Sequence, residues 1–305
     1  MKLKPVQQVK TRKGMKVEEL AREMEQSGVM GSFALGNGIS ILEKMILDKT
    51  CTKFFGLAGA LVPGGMRNVI AEMLEREYFD VLVCTGATLT HDLAEAVGFP
   101  HLQGSDKVDD EQLRKKNLDR VYSSYLQGKA YPHMEQFVRS ALKGMKGNFS
   151  SSELMWKIGE KVKDKNSILA VCARKKIPIF VPALADSGIG MQVHWNFPQI
   201  RHDSFKDLDE VSALAWDAKR KGVFYVCGGV PKNFIQQALQ FSPKPADYAV
   251  QLTTDVPQYG GSSGAELREG ISWGKLNPKA KYQNIYCDAT IALPFIAAAL
   301  EERIR

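Results

Sequence analysis

The 305-residue chain contains no apolar run near the roughly 20 residues that a membrane-crossing helix needs, so a helical membrane protein is not expected. Its first residues, MKLKPVQQVKTRKGMK, are basic but lack the apolar stretch of a secretory signal, which makes the cytoplasm the expected compartment. Cysteines number five (Cys51, Cys84, Cys172, Cys227, Cys287), an odd count without a Cys-x-x-Cys pair, so a disulfide framework is not expected. The histidines (His91, His101, His133, His194, His202) form no His-x-His or His-x-x-x-His pair, and no metal site is expected. Neither a linker rich in Gly, Pro or Ser nor an internal repeat divides residues 1–305, which read as one domain. The net charge of +7 is spread over small clusters, among them Arg174-Lys175-Lys176 and Lys219-Arg220-Lys221, with no aromatic residues between the charges. That pattern fits solvated helix faces, or an acidic protein partner, rather than a nucleic-acid groove.

What the chain does have is alternation. Short apolar runs suit strands at Lys53–Leu57, Val81–Cys84, Ile177–Pro182, Val223–Cys227, Ala246–Leu252 and Asn284–Cys287. Between them, apolar residues recur at three- and four-residue spacing, as in Val69–Leu74, Leu154–Val162 and Val211–Trp216. This predicts a doubly wound, mostly parallel α/β fold, Rossmann-like, with added helices at the N-terminus (Val17–Leu47) and in the middle (Asp109–Lys146).

Ligands of such folds bind beyond the carboxyl ends of the strands. Small and polar residues follow the predicted strands at those ends: TGATLTHD (Thr85–Asp92), ALADSGIG (Ala183–Gly190), CGGVPKN (Cys227–Asn233), TTD (Thr253–Asp255) with GGSSGA (Gly260–Ala265), and DAT (Asp288–Thr290). Gly228 and Gly229 permit close backbone approach, and a helix starting near Pro231 would offer free N–H groups to a phosphate. The strict Gly-x-Gly-x-x-Gly fingerprint is absent, so the glycines alone point only to some nucleotide. Asp186 and Asp288 could accept hydrogen bonds from a ribose or an amine, or could simply cap helices.

One further stretch, Ser272-Trp273-Gly274-Lys275, places an aromatic ring, a glycine and a lysine together. The segment SSGAELREGISWGK, followed by DATIALP and supported by GGVPKN and TGATLTHD, resembles the deoxyhypusine synthase family from about Gly14 to the C-terminus. The resemblance implies an NAD-dependent homotetramer that transfers the aminobutyl group of spermidine to a lysine of the precursor of translation initiation factor 5A. It implies that Lys275 carries the group as an imine, and that Glu269, Trp273 and Asn233 contact the polyamine. Thr85, Gly86, Asp186, Gly228, Gly229, Asp288 and Ala289 would line the NAD site, with His194 a nearby candidate. Burial beside an aromatic ring would lower the lysine's pKa and leave a neutral nucleophile, and Gly274 would make room between ring and amine. Eukaryotic members carry carboxylates where Met191, Tyr259, Ser262 and the pair Thr90-His91 stand here, and a histidine at Asn233. Transfer to a small amine, as in homospermidine synthesis, and a weakly active NAD-binding relative are the alternatives.

Overall fold

The computed structural model describes residues 3–304. Its parallel strands are β1 (Cys51–Leu57), β2 (Val81–Cys84), β3 (Ile179–Phe180), β4 (Arg220–Val226), β5 (Ala246–Thr253) and β6 (Leu276–Tyr286). The helices that bear on the candidate residues are α1 (Val17–Gln26), α2 (Met30–Leu47), α3 (Gly86–Ala96), α4 (Ile168–Lys175), α5 (Gly188–Asn196), α6 (Gly229–Gln240), α7 (Glu269–Ser272) and α8 (Ala289–Arg303). The α/β class with mostly parallel strands is as expected. No helix among the described residues is long and apolar enough to cross a membrane. The chain divides into two compact units, one of residues 1–57, 78–81 and 211–305, the other of residues 58–77 and 82–210.

In the first unit the strand order is β6-β5-β4-β1, every pair parallel. Successive residues of a strand face opposite sides, and β5 shows what covers each. Val250 lies under Gly38 of α2, whereas Gln251 meets Lys232 of α6. Helices therefore cover both faces of these strands, α2 and α6 on opposite sides. Phe55, Phe79 and Phe224 stack in the core of this unit, with Phe55 and Phe79 centroids 4.2 Å apart. The expected N-terminal helices are α1 and α2.

β6 begins eight residues earlier than the apolar run at Asn284 suggests. Its first part, LNPKAKY, is polar and largely exposed, because β6 is an edge strand in this unit and carries Pro278, Lys279 and Lys281. Proline and lysine on an edge discourage pairing with another chain, and they also hide the strand from a search for apolar runs.

The second unit pairs β2 with β3, Leu82 opposite Ile179. The expected central helices are present at Asp110–Lys115 and Ala130–Ala141. An antiparallel hairpin, Leu118–Val121 with Ser124–Gln127, separates them. Its tight turn is made by Tyr122 at φ 52°, without glycine or proline, so no turn residue marks it in the sequence.

Candidate active site

In the first unit the SWGK stretch is a helix stop. α7 ends at Trp273, and Gly274 takes φ 70°. The Gly274 N–H donates to the Ile271 carbonyl (3.1 Å) and the Lys275 N–H to the Gly270 carbonyl (2.8 Å). This is the Schellman arrangement, which favours glycine at its left-handed position. No atom lies within 4 Å of where a Cβ on Gly274 would stand. The glycine is needed for its backbone angle, not to make room between ring and amine.

The Lys275 carbonyl accepts from the Ala246 N–H (3.1 Å), the first residue of β5, so the lysine is fixed immediately before β6 begins. Its Nζ lies 5.1 Å from the centroid of the Trp273 ring, within cation–π range. The ring itself is 57% exposed, so it shields one side of the amine and does not bury it. Lys275 is half-buried, and desolvation lowers its pKa while the Glu269 carboxylate opposes that shift. It also borders, with Tyr225, Gln236 and Leu239, a cavity of about 10 Å³, scarcely room for one water. Glu269 faces a cleft of about 500 Å³ lined by Pro257, Glu266 and Arg268. Arg268 engages Glu266 at 2.6 Å, which leaves Glu269 as the carboxylate of that cleft without a direct ion pair among the described residues, its charge acting from a distance on Lys275 and Lys232.

Lys232 is the residue that sequence reasoning missed. It is 1% exposed, and its Nζ donates to Gln251 Oε1 (2.8 Å) and to the carbonyls of Ser262 (2.7 Å) and Ala265 (2.6 Å). Gln251 adds a bond from Nε2 to the Ser263 carbonyl (2.6 Å). Together they hold the glycine- and serine-rich turn that leads into α7. Burial pushes the Lys232 pKa down to about 8, with Glu269 opposing and Lys275 assisting. The signal was present in the sequence. Lys232 falls on the stripe Pro231, Ile235, Ala238, Leu239 that α6 buries, a core position at which a charge requires a reason.

α6 begins at Gly229, so Pro231 stands in its first turn rather than at its start. Gly229 has φ 62° with open space beside it. At Gly228 a Cβ would collide with the backbone of Ser263, so this glycine admits the neighbouring turn. Asn233 is exposed on α6 and makes no side-chain hydrogen bond to the described residues.

Asp288 caps α8 by accepting from the Thr290 N–H (2.7 Å), and its neighbour Ala289 is buried. The hydrogen bonds from Thr290, side chain and backbone, hold the Asp288 carboxyl below its usual range. Replacement of Asp288 by alanine is expected to cost about 0.5–2 kcal/mol of stability. A group with a depressed native pKa stabilises above its unfolded pKa and loses that contribution as pH falls through the native value. Thermal melts of variant and parent should therefore differ at neutral pH and converge in acid.

Asp288 is not brought beside Lys275. The register pairs Leu276 with Ala246 and Tyr286 with Thr253. The two candidates thus lie at opposite ends of β6, seven β5 residues apart, or about 23 Å at roughly 3.3 Å per residue.

The second unit brings Thr85, Gly86 and Asp186 together. Thr85 caps α3, its Oγ1 accepting from the Thr88 N–H at 3.3 Å. A Cβ on Gly86 would strike the side chain of Ser187, which caps α5 by accepting from the Gly190 N–H at 3.1 Å. Thr90 Oγ1 accepts from the Ile189 N–H (3.1 Å). Two helix N-termini therefore abut. The Thr88, Ile189 and Gly190 N–H groups are already taken by Thr85, Thr90 and Ser187, so a phosphate would be drawn by the positive helix ends and the remaining first-turn amides. Asp186 is exposed beside them. His194 and Met191 line a cavity of about 390 Å³ with Trp195, Arg201 and His202, and Ala185 and Gly190 on either side of Asp186 border it too.

No group of three or more His, Cys, Asp or Glu residues suited to a metal ion occurs among the described residues.

These features define a parallel α/β protein with glycine turns and helix N-termini at strand ends and a partly desolvated lysine set by a helix cap. The family model for deoxyhypusine synthase matches residues 19–300. The chain is 40% identical to Probable deoxyhypusine synthase 1 of Methanosarcina acetivorans, over 98% of this chain and 95% of that one. It is also 40% identical to Probable deoxyhypusine synthase 2 of Archaeoglobus fulgidus, over 91% of this chain and 95% of the other. A crystal structure from Entamoeba histolytica, assigned as a deoxyhypusine synthase, aligns with TM-score 0.65 at 20% identity, covering 94% of this chain and 93% of its own. The chain belongs to the deoxyhypusine synthase family, a family of transferases.

Proposed function

We propose that this protein is an NAD-dependent aminobutyltransferase. It would oxidise spermidine, hold the released butylimine on Lys275 and pass it to a lysine of the translation initiation factor 5A precursor. The observation that carries this reading is Lys275 itself, half-buried, its pKa lowered by desolvation and its amine set beside Trp273 by a glycine cap. A neutral amine is what imine capture requires. Glu269, on an open cleft, supplies the carboxylate for a cationic polyamine, and Asn233, exposed on α6, offers a neutral amide. Thr85, Gly86, Asp186, Gly228, Gly229, Asp288 and Ala289 would hold NAD, whose nicotinamide supplies the hydride acceptor when bound.

Family membership supports the further reading of a cytoplasmic homotetramer in which residues 1–305 act as one deoxyhypusine synthase-like domain. The direct test is incubation with labelled spermidine and NAD, with and without the factor precursor. Label should reach the factor only when both are present. Label found solely in small amines would refute the acceptor. NAD should bind without polyamine, and Asp288→Ala should weaken it roughly threefold to tenfold if one hydrogen bond is lost.

Glu269→Gln tests the polyamine contact. A charged hydrogen bond contributes about 1.5–3 kcal/mol, and the exposure of Glu269 places the effect at the lower end, roughly a tenfold rise in half-saturating spermidine. The carboxylate also raises the Lys275 pKa, so its removal should move the pH midpoint for lysine modification downward. An unchanged midpoint, read by mass spectrometry of reductively trapped protein, would place the carboxylate out of reach of the amine.

A further inference from the structure

Outside the groups used above, the second unit holds a chain of titratable side chains. α3 ends at Val97, and Gly98 at φ 95° turns the backbone so that the Gly98 N–H meets the Glu95 carbonyl and the Phe99 N–H the Ala94 carbonyl, both at 3.0 Å. That second helix stop folds the following loop back along α3. His101 Nδ1 then lies 2.7 Å from Glu95 Oε1, and His101 Nε2 lies 2.9 Å from His91 Nδ1. The His101 side chain is 5% exposed and Glu95 22%. Behind them Arg67 stands 3.9 Å from Glu95 and 2.7 Å from each of Asp92 and Asp164.

The order of groups gives the chain a direction. An ionised Glu95 can only accept, so His101 donates through Nδ1. Neutral His101 then accepts at Nε2, and His91 must donate through Nδ1. The lone pair of His91 Nε2 is left without a hydrogen-bond donor among the described residues. His91 lies one turn behind Ala87 on the less buried face of α3, and Ala87, at the helix start, is exposed.

We propose that Glu95, His101 and His91 form a proton relay, in which His91 removes a proton from an ammonium brought against a cofactor at the start of α3. The inference rests on the NAD-dependent amine oxidation proposed above. In the step, the ammonium N–H bond breaks with its electron pair staying on nitrogen, and an N–H bond forms at His91 Nε2. The Nδ1 proton of His91 passes to His101 Nε2, so the positive charge comes to rest on His101 beside the Glu95 carboxylate. The free amine can then release hydride from its neighbouring carbon. His91 is the acid–base group; His101 and Glu95 are positioning residues.

The surroundings explain why a relay is used. Burial and the neighbouring His101 push the His91 pKa down to about 4, with Glu95 opposing, so a charge is poorly held there. Burial opposes ionisation of Glu95, but the hydrogen bond from His101 and the charge of Arg67 hold its carboxyl below the usual range. The charged and titratable groups facing His91 are thus Glu95 from α3 and His101 from the loop. The N–H groups at the start of α3 disfavour an ammonium nearby, which helps the proton leave.

The test uses the full chain with NAD and spermidine, reading single-turnover NADH formation against pH, together with histidine NMR titrations. His91→Gln should lower the rate by about a hundredfold and flatten its acid limb, with NAD affinity unchanged. Added imidazole should restore part of the rate to His91→Ala. Glu95→Gln should lower the NMR midpoint of His91, whose pKa the carboxylate raises, and shift the acid limb with it. A His91→Gln enzyme with normal rate and profile would overturn the relay while leaving the oxidation intact. No NADH from the unmutated chain would instead overturn the oxidation, and the role of His91 with it. An unshifted midpoint in Glu95→Gln would overturn the coupling in either case.

Discussion

Replacing Lys275 by arginine is expected to abolish aminobutyl transfer, by about three orders of magnitude or more, while fold and NAD affinity stay unchanged. Loss of a covalent nucleophile has effects of that order. Arginine remains protonated below a pH of about 12 and cannot form the imine, yet it keeps the positive charge. The substitution therefore separates nucleophilicity from electrostatics. Space is available, because Lys275 is half-exposed and its neighbour Gly274 is open. Two measurements check it: reductive trapping of labelled intermediate on the enzyme, and label delivered to the factor. Delivery at near-normal rate by the arginine variant would refute the covalent lysine.

The second large effect is expected at Lys232. Methionine there keeps the bulk of the stem but withdraws three hydrogen bonds, leaving the Ser262 and Ala265 carbonyls and Gln251 Oε1 without that donor. At about 1–3 kcal/mol for each unsatisfied buried group, partly relieved by water, the net loss should be about 2–5 kcal/mol, or roughly 5–10 °C in melting temperature. Transfer should fall with it, because the turn at 262–265 leads into α7 and the cap that sets Lys275. The dependence on pH identifies the cause. With a native pKa of about 8 against an unfolded value near 10.4, the unfolded chain binds more protons between those limits. Parent stability should gain from this lysine as pH rises through that window, and the methionine variant should lack the gain. Melts at about pH 7 and about pH 9.5 would show it. Equal pH dependence in both proteins would mean that Lys232 is not desolvated as described.

Much of this arrangement could be read from the sequence, for reasons that differ by region. β1, β2, β4 and β5 are covered strands and read as apolar runs. The start of β6 is an edge and reads as a polar loop, so nothing in NPKAKYQN shows that Lys275 precedes a strand. The helix cap at Asp288 was legible from a short polar side chain before a helical run, whereas Asp186, the other expected cap, yields that place to Ser187. The stop at Gly274 was visible as a glycine but not as a Schellman turn, because the cap depends on hydrogen bonds to Gly270 and Ile271 that only the folded backbone defines. Lys232 shows the reverse case. Its position on the buried stripe was legible, but its partners come from β5 and from a turn 30 or more residues away.

Asp92, the buried ion-pair partner of Arg67, bears on how the second unit assembles. It is fully buried, and its carboxylate accepts from Ser167 Oγ (2.7 Å) and from the N–H groups of Ile168 and Leu169 (3.0 Å each). The first turn of α4 is therefore completed by a side chain 75 to 77 positions earlier in the chain. An eight-residue helix has little stability alone, so α4 is expected to mature only once α3 is in place to receive it. During synthesis α3 emerges first and waits for its distant partner. This long-range closure is of the kind that slows folding. The Ile168 and Leu169 amides should accordingly exchange with solvent at the rate of the unit's cooperative opening, later than those of helices completed by their own neighbours.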